Sequence, residues 1–255
     1  ANLNRMRQVA PNSKVCGVVK ANAYGHGMIP VAKRLEAEGV DYLGVADIAE
    51  ALELRAAGIR VPILAWLHDF SEDFHAAVAA DIDLGVSTLG QLERLIAAAK
   101  VAGKRASVHL KVDTGLSRNG VTAAQLPALL DRAVAAQDAA EIRVVGMFSH
   151  LSLTSREDDH AQIARFEEAL AEARAALARA EREAAIQKTF AAELLAAAGN
   201  ERLILDAHRK ANAARYDSDE EYNRKTTDLA TRTANTLQNL GMGIADGIAE
   251  MYGNT

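Results

Sequence analysis

Val15-Cys16-Gly17-Val18-Val19-Lys20-Ala21-Asn22-Ala23-Tyr24-Gly25-His26-Gly27 is a short apolar run that delivers a lysine to a loop of small, flexible and polar residues. An apolar run of this length, closed by glycine, suits a strand buried on both faces. Five further runs follow at Tyr42–Ala46, Val61–Leu67, Ile82–Val86, Ser107–Val112 and Ile142–His150. Between them, apolar residues recur three and four apart over Ile29–Glu38, Ile48–Ala57, Ser71–Ala80, Leu89–Ala102 and Ala123–Ala136, the spacing of amphipathic helices. Six strand–helix units in series predict an α/β protein with a parallel sheet, either a barrel or a doubly wound sheet. No GxGxxG follows the first strand, which counts against a dinucleotide-binding fold. The first run itself predicts a strand almost at the start of the chain.

Composition narrows the class. A chain of 255 residues, 49% of them apolar, can bury a large core, and this length is common for α/β barrels. A net charge of -5 without a basic cluster gives no reason to expect a nucleic-acid partner. No apolar stretch is long enough to span a bilayer, so no membrane partner is expected. Cys16 is the single cysteine, which excludes an internal disulfide and a cysteine-rich metal site and fits a reducing cytoplasm. Its place in the first apolar run predicts a buried structural thiol. No metal site is expected.

Beyond residue 150 the texture changes. Neither Gly nor Pro occurs between Gly146 and Gly199, and His160–Ala198 is rich in Ala, Glu, Arg and Leu, all strong helix formers. The pattern predicts either a helix broken near Arg182–Gln187 or one projecting beyond the sheet. Arg202–Ala207 reads as a seventh strand, and Gly241–Tyr252 more weakly as a last strand and turn.

Three stretches carry chemistry. Lys20 closes the first strand; a lysine there is ordinarily a surface residue, but a desolvated amine loses its proton and attacks an aldehyde. Tyr24 follows within one loop turn, where its hydroxyl either packs or meets a phosphate. The second stretch is Leu110-Lys111-Val112-Asp113-Thr114-Gly115-Leu116-Ser117-Arg118-Asn119-Gly120. There Lys111 and Asp113 stand at a strand end, as a local ion pair or a functional couple. Arg118 on the following loop suits two parallel hydrogen bonds to a carboxylate, or donation to a phenolate oxygen. The third is Gly146-Met147-Phe148-Ser149-His150, a strand ending in histidine.

Together these stretches resemble the alanine racemases, with a texture nearest the actinobacterial branch. The decapeptide Val18–Gly27 is similar to that family's pyridoxal-phosphate signature, and the second stretch to its K-x-D-T-G-[ML]-x-R-x-G. The resemblance extends over residues 1–170 and includes Tyr42–Ala46, Pro62–Leu67 and Asp83–Ser87. It implies a TIM-type (β/α)8 barrel forming one domain over residues 1–255, with 171–255 divergent or rebuilt and unusually helical. It implies pyridoxal 5'-phosphate as cofactor, carried by Lys20, which also serves as catalytic base. By the same resemblance Tyr24 meets the cofactor phosphate, Arg118 the phenol oxygen and the substrate carboxylate, and His150 the ring. Lys111 occupies a position that carries a carbamate in several members, near the substrate.

Two degraded motifs complete the implied pocket. His208–Ala214 is a shadow of the family's H-x-x-N-S-A and brings Asn212. Ala245–Gly253 is a shadow of R-x-G-I-A-[LM]-Y-G and leaves the Gly247 and Ile248 amides for a phosphate, a role that needs no side chain. The implied activity is interconversion of L- and D-alanine for peptidoglycan, by a cytoplasmic enzyme whose members pair as homodimers. The family's C-terminal β domain, which donates a catalytic tyrosine to the partner subunit, is expected to be absent, with activity impaired accordingly. The alternatives are a non-catalytic cofactor-binding barrel and an engineered or chimeric barrel scaffold.

Overall fold

The computed structural model describes residues 2–69, 72–197, 203–221 and 223–224. It divides into two compact units, Ala1–His150 and Leu151–Thr255.

The first unit is built on six strands, β1 (Cys16–Val18), β2 (Tyr42–Val45), β3 (Ile63–Ala65), β4 (Asp83–Val86), β5 (Ala106–Lys111) and β6 (Ile142–Phe148). They lie side by side in the order β1-β2-β3-β4-β5-β6, each parallel to the one before. Sequential parallel order without a reversal is the strand order of a TIM-type barrel, whereas a doubly wound sheet reverses its order part-way. The connecting helices are α3 (Met28–Ala37), α4 (Ile48–Ala56), α5 (Phe74–Ala79), α6 (Leu89–Ala102) and α7 (Leu126–Asp138), preceded by α1 (Asn2–Val9) and the short segment α2 (Lys20–Tyr24). Every predicted strand and helix of residues 15–138 is present, most of them shorter at one or both ends. The unforeseen element is α1, which precedes the first strand and buries none of its residues.

Alternation along the strands sorts the residues. Leu43, Val45, Ile63, Ala65, Leu84, Val86, Val108 and Leu110 are buried with Ala51 and Leu54 of α4, Leu92, Leu95 and Ile96 of α6, and Leu129, Leu130 and Ala133 of α7. The alternate positions carry bulk and polarity together. Gly44 and Gly85 make room for Trp66; a Cβ on Gly44 would come within 2.5 Å of its ring. Tyr42 donates its hydroxyl to Asp83 Oδ2 at 3.0 Å, and His109 Nε2 lies 3.1 Å from the same oxygen. Burial and the Asp83 charge push the Tyr42 phenol up to about 12. Cys16 departs from expectation: its residue surface is exposed. Its sulfur nevertheless packs where a Cβ on Gly44 would lie 3.2 Å away, and desolvation there pushes the thiol up to about 11.

From Arg156 onward the second unit is helical wherever it is described. The helix α8 (Arg156–Ala197) runs 42 residues without a break at Arg182–Gln187, which overturns the expectation of a break there. Ser155 starts it by accepting the Asp158 amide on its hydroxyl at 3.0 Å. Three acidic residues, Glu157, Asp158 and Asp159, fill the first turn, where the helix dipole favours negative charge. A second helix over 203–221 runs back along it. Arg182 donates to Ser218 at 3.0 Å, Arg215 to Glu183 at 2.9 Å, and the Phe190 and His208 rings meet edge-on at 4.8 Å.

The expected seventh strand at Arg202–Ala207 is therefore corrected: 203–207 begins this helix. Ile204, Ala207, Ala211, Arg215 and Ser218 are its less exposed residues, a spacing of three and four. Leu203 and Leu205 stand outward, about half exposed, where a buried strand would have enclosed them. The expected last strand at Gly241–Tyr252 lies outside the described residues.

Candidate active site

Strand ends of the first unit gather the residues that the sequence singled out. Lys20 lies two residues beyond β1, Lys111 ends β5, Arg118 rides the loop that follows, and His150 stands two residues beyond β6. All belong to the carboxyl ends of parallel strands, the edge where such sheets bind ligands.

The loop after Lys20 has an unusual backbone. Ala21, Asn22, Ala23 and Tyr24 all have positive φ, at 52°, 53°, 50° and 55°, making one left-handed turn. Bonds from the Ala23 amide to Val19 O (2.8 Å) and from the Gly27 amide to Asn22 O (3.0 Å) close it. Asn22 then accepts the Met28 amide at 2.8 Å, which starts α3. Gly25 and Gly27 continue with φ of 91° and 89°, a region that favours glycine. Tyr24 is carried outward by this turn and is 70% exposed.

The Arg118 loop is shaped by Asp113. Its Oδ1 accepts the amides of Gly115 (3.0 Å) and Ser117 (2.9 Å). A bridge between Val112 and Val121 closes the base of the loop, with the Asp113 amide on Val121 O and the Val121 amide on Lys111 O. Thr114 and Ser149 share a hydroxyl bond of 2.7 Å, and Ser149 donates to Val112 O at 2.8 Å, so the ends of β5 and β6 are pinned together.

Lys111 is 2% exposed, with its ammonium 5.5 Å over the Phe148 ring. Burial, then the Arg118 and Lys20 charges, lower its amine to about 8, and Asp113 only partly opposes them. Burial likewise holds His150 below the usual imidazole range, assisted by the charges of Arg118, Lys111 and Lys20. Lys111 and His150 thus each lie within electrostatic reach of Lys20 and Arg118, and of one another. A local Lys111–Asp113 ion pair is not what governs this lysine. Such a basin of crowded cations is suited to an anion. Within the loop, Asn119 Oδ1 is buried without a partner, leaving an acceptor available to a donor.

Asn212 lies in the second unit on the 203–221 helix, where its Oδ1 accepts from Arg215 at 3.3 Å. Gly247 and Ile248 lie outside the described residues. One residue that sequence reasoning passed over is Glu50, whose carboxylate accepts the Ala21 amide at 2.6 Å and the Ala46 amide at 2.8 Å. The signal was present: Asp47-Ile48-Ala49-Glu50 carries the acid–x–x–Glu spacing of a helix start.

Comparison with known proteins identifies the family. The family model described as "Alanine racemase, N-terminal domain" matches residues 1–203. The chain belongs to that family. An alanine racemase of Mycolicibacterium smegmatis is 52% identical over 150 residues, covering 59% of this chain and 39% of that protein. That of Thermobifida fusca is 44% identical over 166 residues, covering 65% and 44%.

Among solved structures, the alanine racemase of D-cycloserine-producing Streptomyces lavendulae superposes with a TM-score of 0.67 at 40% identity, over 69% of this chain and 47% of that one. The alanine racemase of Bartonella henselae with covalently bound pyridoxal phosphate shares the fold, with a TM-score of 0.59 at 24% identity. The chain spans less than half the length of the curated alanine racemases above, 39% and 44%. Among the described residues, no helix is long and apolar enough to cross a membrane.

Proposed function

We propose that this chain is the cofactor-holding part of a pyridoxal-phosphate-dependent alanine racemase, an isomerase that interconverts L- and D-alanine. The observation that carries the reading is the placement of Lys20, Lys111, Arg118 and His150 at the carboxyl ends of β1, β5 and β6, with Lys20 and Arg118 both acting on Lys111 and His150. A phosphorylated aldehyde with a phenolate oxygen, together with an amino acid's carboxylate, supplies anions suited to this basin, whose cations Asp113 only partly offsets.

In this reading Lys20 Nζ holds the cofactor and removes or returns the alanine α-proton on one face. Bound there, the cofactor supplies an electron sink that acidifies the α-carbon. Arg118 donates to the phenol oxygen and the substrate carboxylate, bidentate geometry for which guanidinium is suited. Lys111, beneath it, adds positive charge toward the same carboxylate, and His150 flanks the ring. Tyr24 is assigned to the phosphate. The D-alanine made serves peptidoglycan synthesis in the cytoplasm, and the working assembly is a homodimer. A lone cysteine fits that compartment. One domain over residues 1–255 remains part of the proposal.

The test is reductive trapping. Borohydride added after incubation with pyridoxal phosphate is expected to leave a pyridoxyl group on Lys20, located by peptide mass, and none in Lys20→Ala. Label spread equally over surface lysines would defeat the reading. Chiral analysis of alanine in the same incubation separates an active racemase from a barrel that holds cofactor without turnover.

A further inference from the structure

At the carboxyl rim of the sheet, two carboxylates each join backbone amides of neighbouring loops. Glu50, in the first turn of α4, accepts Ala21 N–H from the loop after β1 and Ala46 N–H at the end of β2. Glu72, just before α5, accepts Ile48 N–H (2.8 Å) from the loop after β2 and Asp69 N–H (3.0 Å) from the loop after β3. The first three loops are thereby strapped in series.

Glu50 is not closing its own helix. Asp47 already caps α4 by accepting the Glu50 amide at 2.8 Å. In a capping box the glutamate would return to the Asp47 amide; here it takes the residue before, and an amide 29 positions upstream. That upstream amide belongs to Ala21, immediately after Lys20 and first of the four left-handed residues. Left-handed backbone is disfavoured for L-residues, so a turn built from four of them persists only where its surroundings fix it. A carboxylate is suited to this place because it has two acceptor oxygens and no donor, and charge strengthens both bonds.

We propose that Glu50 is the positioning residue for Lys20. Its carboxylate, held by α4 and the end of β2, takes the Ala21 amide and fixes the turn that directs the lysine side chain. The assignment of Lys20 as cofactor lysine comes from the proposed function; the strap itself acts without cofactor.

Glu50→Gln keeps size but offers one acceptor to two amides. In cofactor-free protein, amide exchange at Ala21 is expected to quicken about tenfold or more in Glu50→Gln. Lys20 side-chain resonances should shift, while β4 and β5 amides keep their protection. Glu72→Gln is expected to loosen Ile48 and Asp69 and leave Ala21 and Lys20 unchanged. With pyridoxal phosphate and borohydride, labelling of Lys20 should slow by a similar factor in Glu50→Gln and not in Glu72→Gln. Should Glu50→Gln not fold, Glu50→Asp, one methylene too short to reach both amides, serves the same comparison. Unchanged Ala21 exchange, or a freed Ala21 with Lys20 resonances and labelling as in the unmodified protein, would overturn the proposal. If the unmodified protein takes no label at Lys20, the cofactor reading fails, while exchange and resonances still decide the role of Glu50.

Discussion

Ala21 sits in a conformation that an L-residue adopts at a cost of roughly 1–2 kcal/mol, and three more residues share it. The turn survives because its amides are satisfied by Val19 O, Asn22 O and Glu50, and because Asn22 is among the side chains that tolerate this region. Ala21 is exposed and buries nothing that a glycine would lose. Ala21→Gly should therefore raise stability slightly, by about 0 to 1 kcal/mol, with steric relief exceeding the added freedom of the unfolded chain. An Ala→Gly change in a right-handed helix has the opposite sign, costing about 0.5–1 kcal/mol. Urea denaturation reads the difference, and a loss of that size would show that Ala21 carries no strain.

At the scale of elements, the Arg118 loop depends on how closely it returns to its own strand. Gly120 has φ 123°, and a Cβ there would meet Asp113 N at 2.6 Å and Val112 C at 2.8 Å, both backbone atoms. Neither neighbour can swing aside. Gly120→Ala should cost more than about 1 kcal/mol in chemical denaturation. It should also open the Val112–Val121 bridge, so that the measured Lys111 pKa rises as Arg118 moves off. An unaltered Lys111 titration would separate the bridge from the placement of Arg118. That arginine was legible in the sequence as a loop residue after a strand, and its place with Gly120 came from resemblance to the family's motif. The left-handed turn after Lys20 was not, because Ala-Asn-Ala-Tyr carries no glycine at those four positions. Leu203-Ile204-Leu205 misled for a different reason. A short apolar run fits strand or buried helix equally, and the helical period appears only when Ala207 and Ala211 count as interior residues. The polar α1 escaped notice because it buries no residue that could betray a period.

For the whole molecule, the parallel sheet followed from six apolar runs separated by helical ones, while those runs left its strand order open. What no run displayed is that polar groups stand among the strands' side chains: Asp83, His109 and Lys111 all lie in or at the end of apolar stretches. Lys111 ties this arrangement to global stability. Its amine falls from 10.5 to about 8 on folding, so between those values the unfolded chain binds more protons than the folded one. Stability contributed by this group therefore rises with pH through that window, and its cost is fully present below pH 8. At 1.36 kcal/mol per unit the cost is about 3 kcal/mol, an upper figure. The Cys16 thiol and the Tyr42 phenol act in reverse, because both are raised on folding and lose stability above their unfolded values of 9.0 and 10.0. Lys111→Met leaves those two in place and fills similar space. Its stability relative to the unmodified protein should thus be most favourable below pH 8 and decline steadily toward about pH 10, in urea denaturations at fixed ionic strength. A difference that stays flat across the range would mean that Lys111 holds its proton equally in both states, and neither its burial nor the cations beside it would then govern its charge.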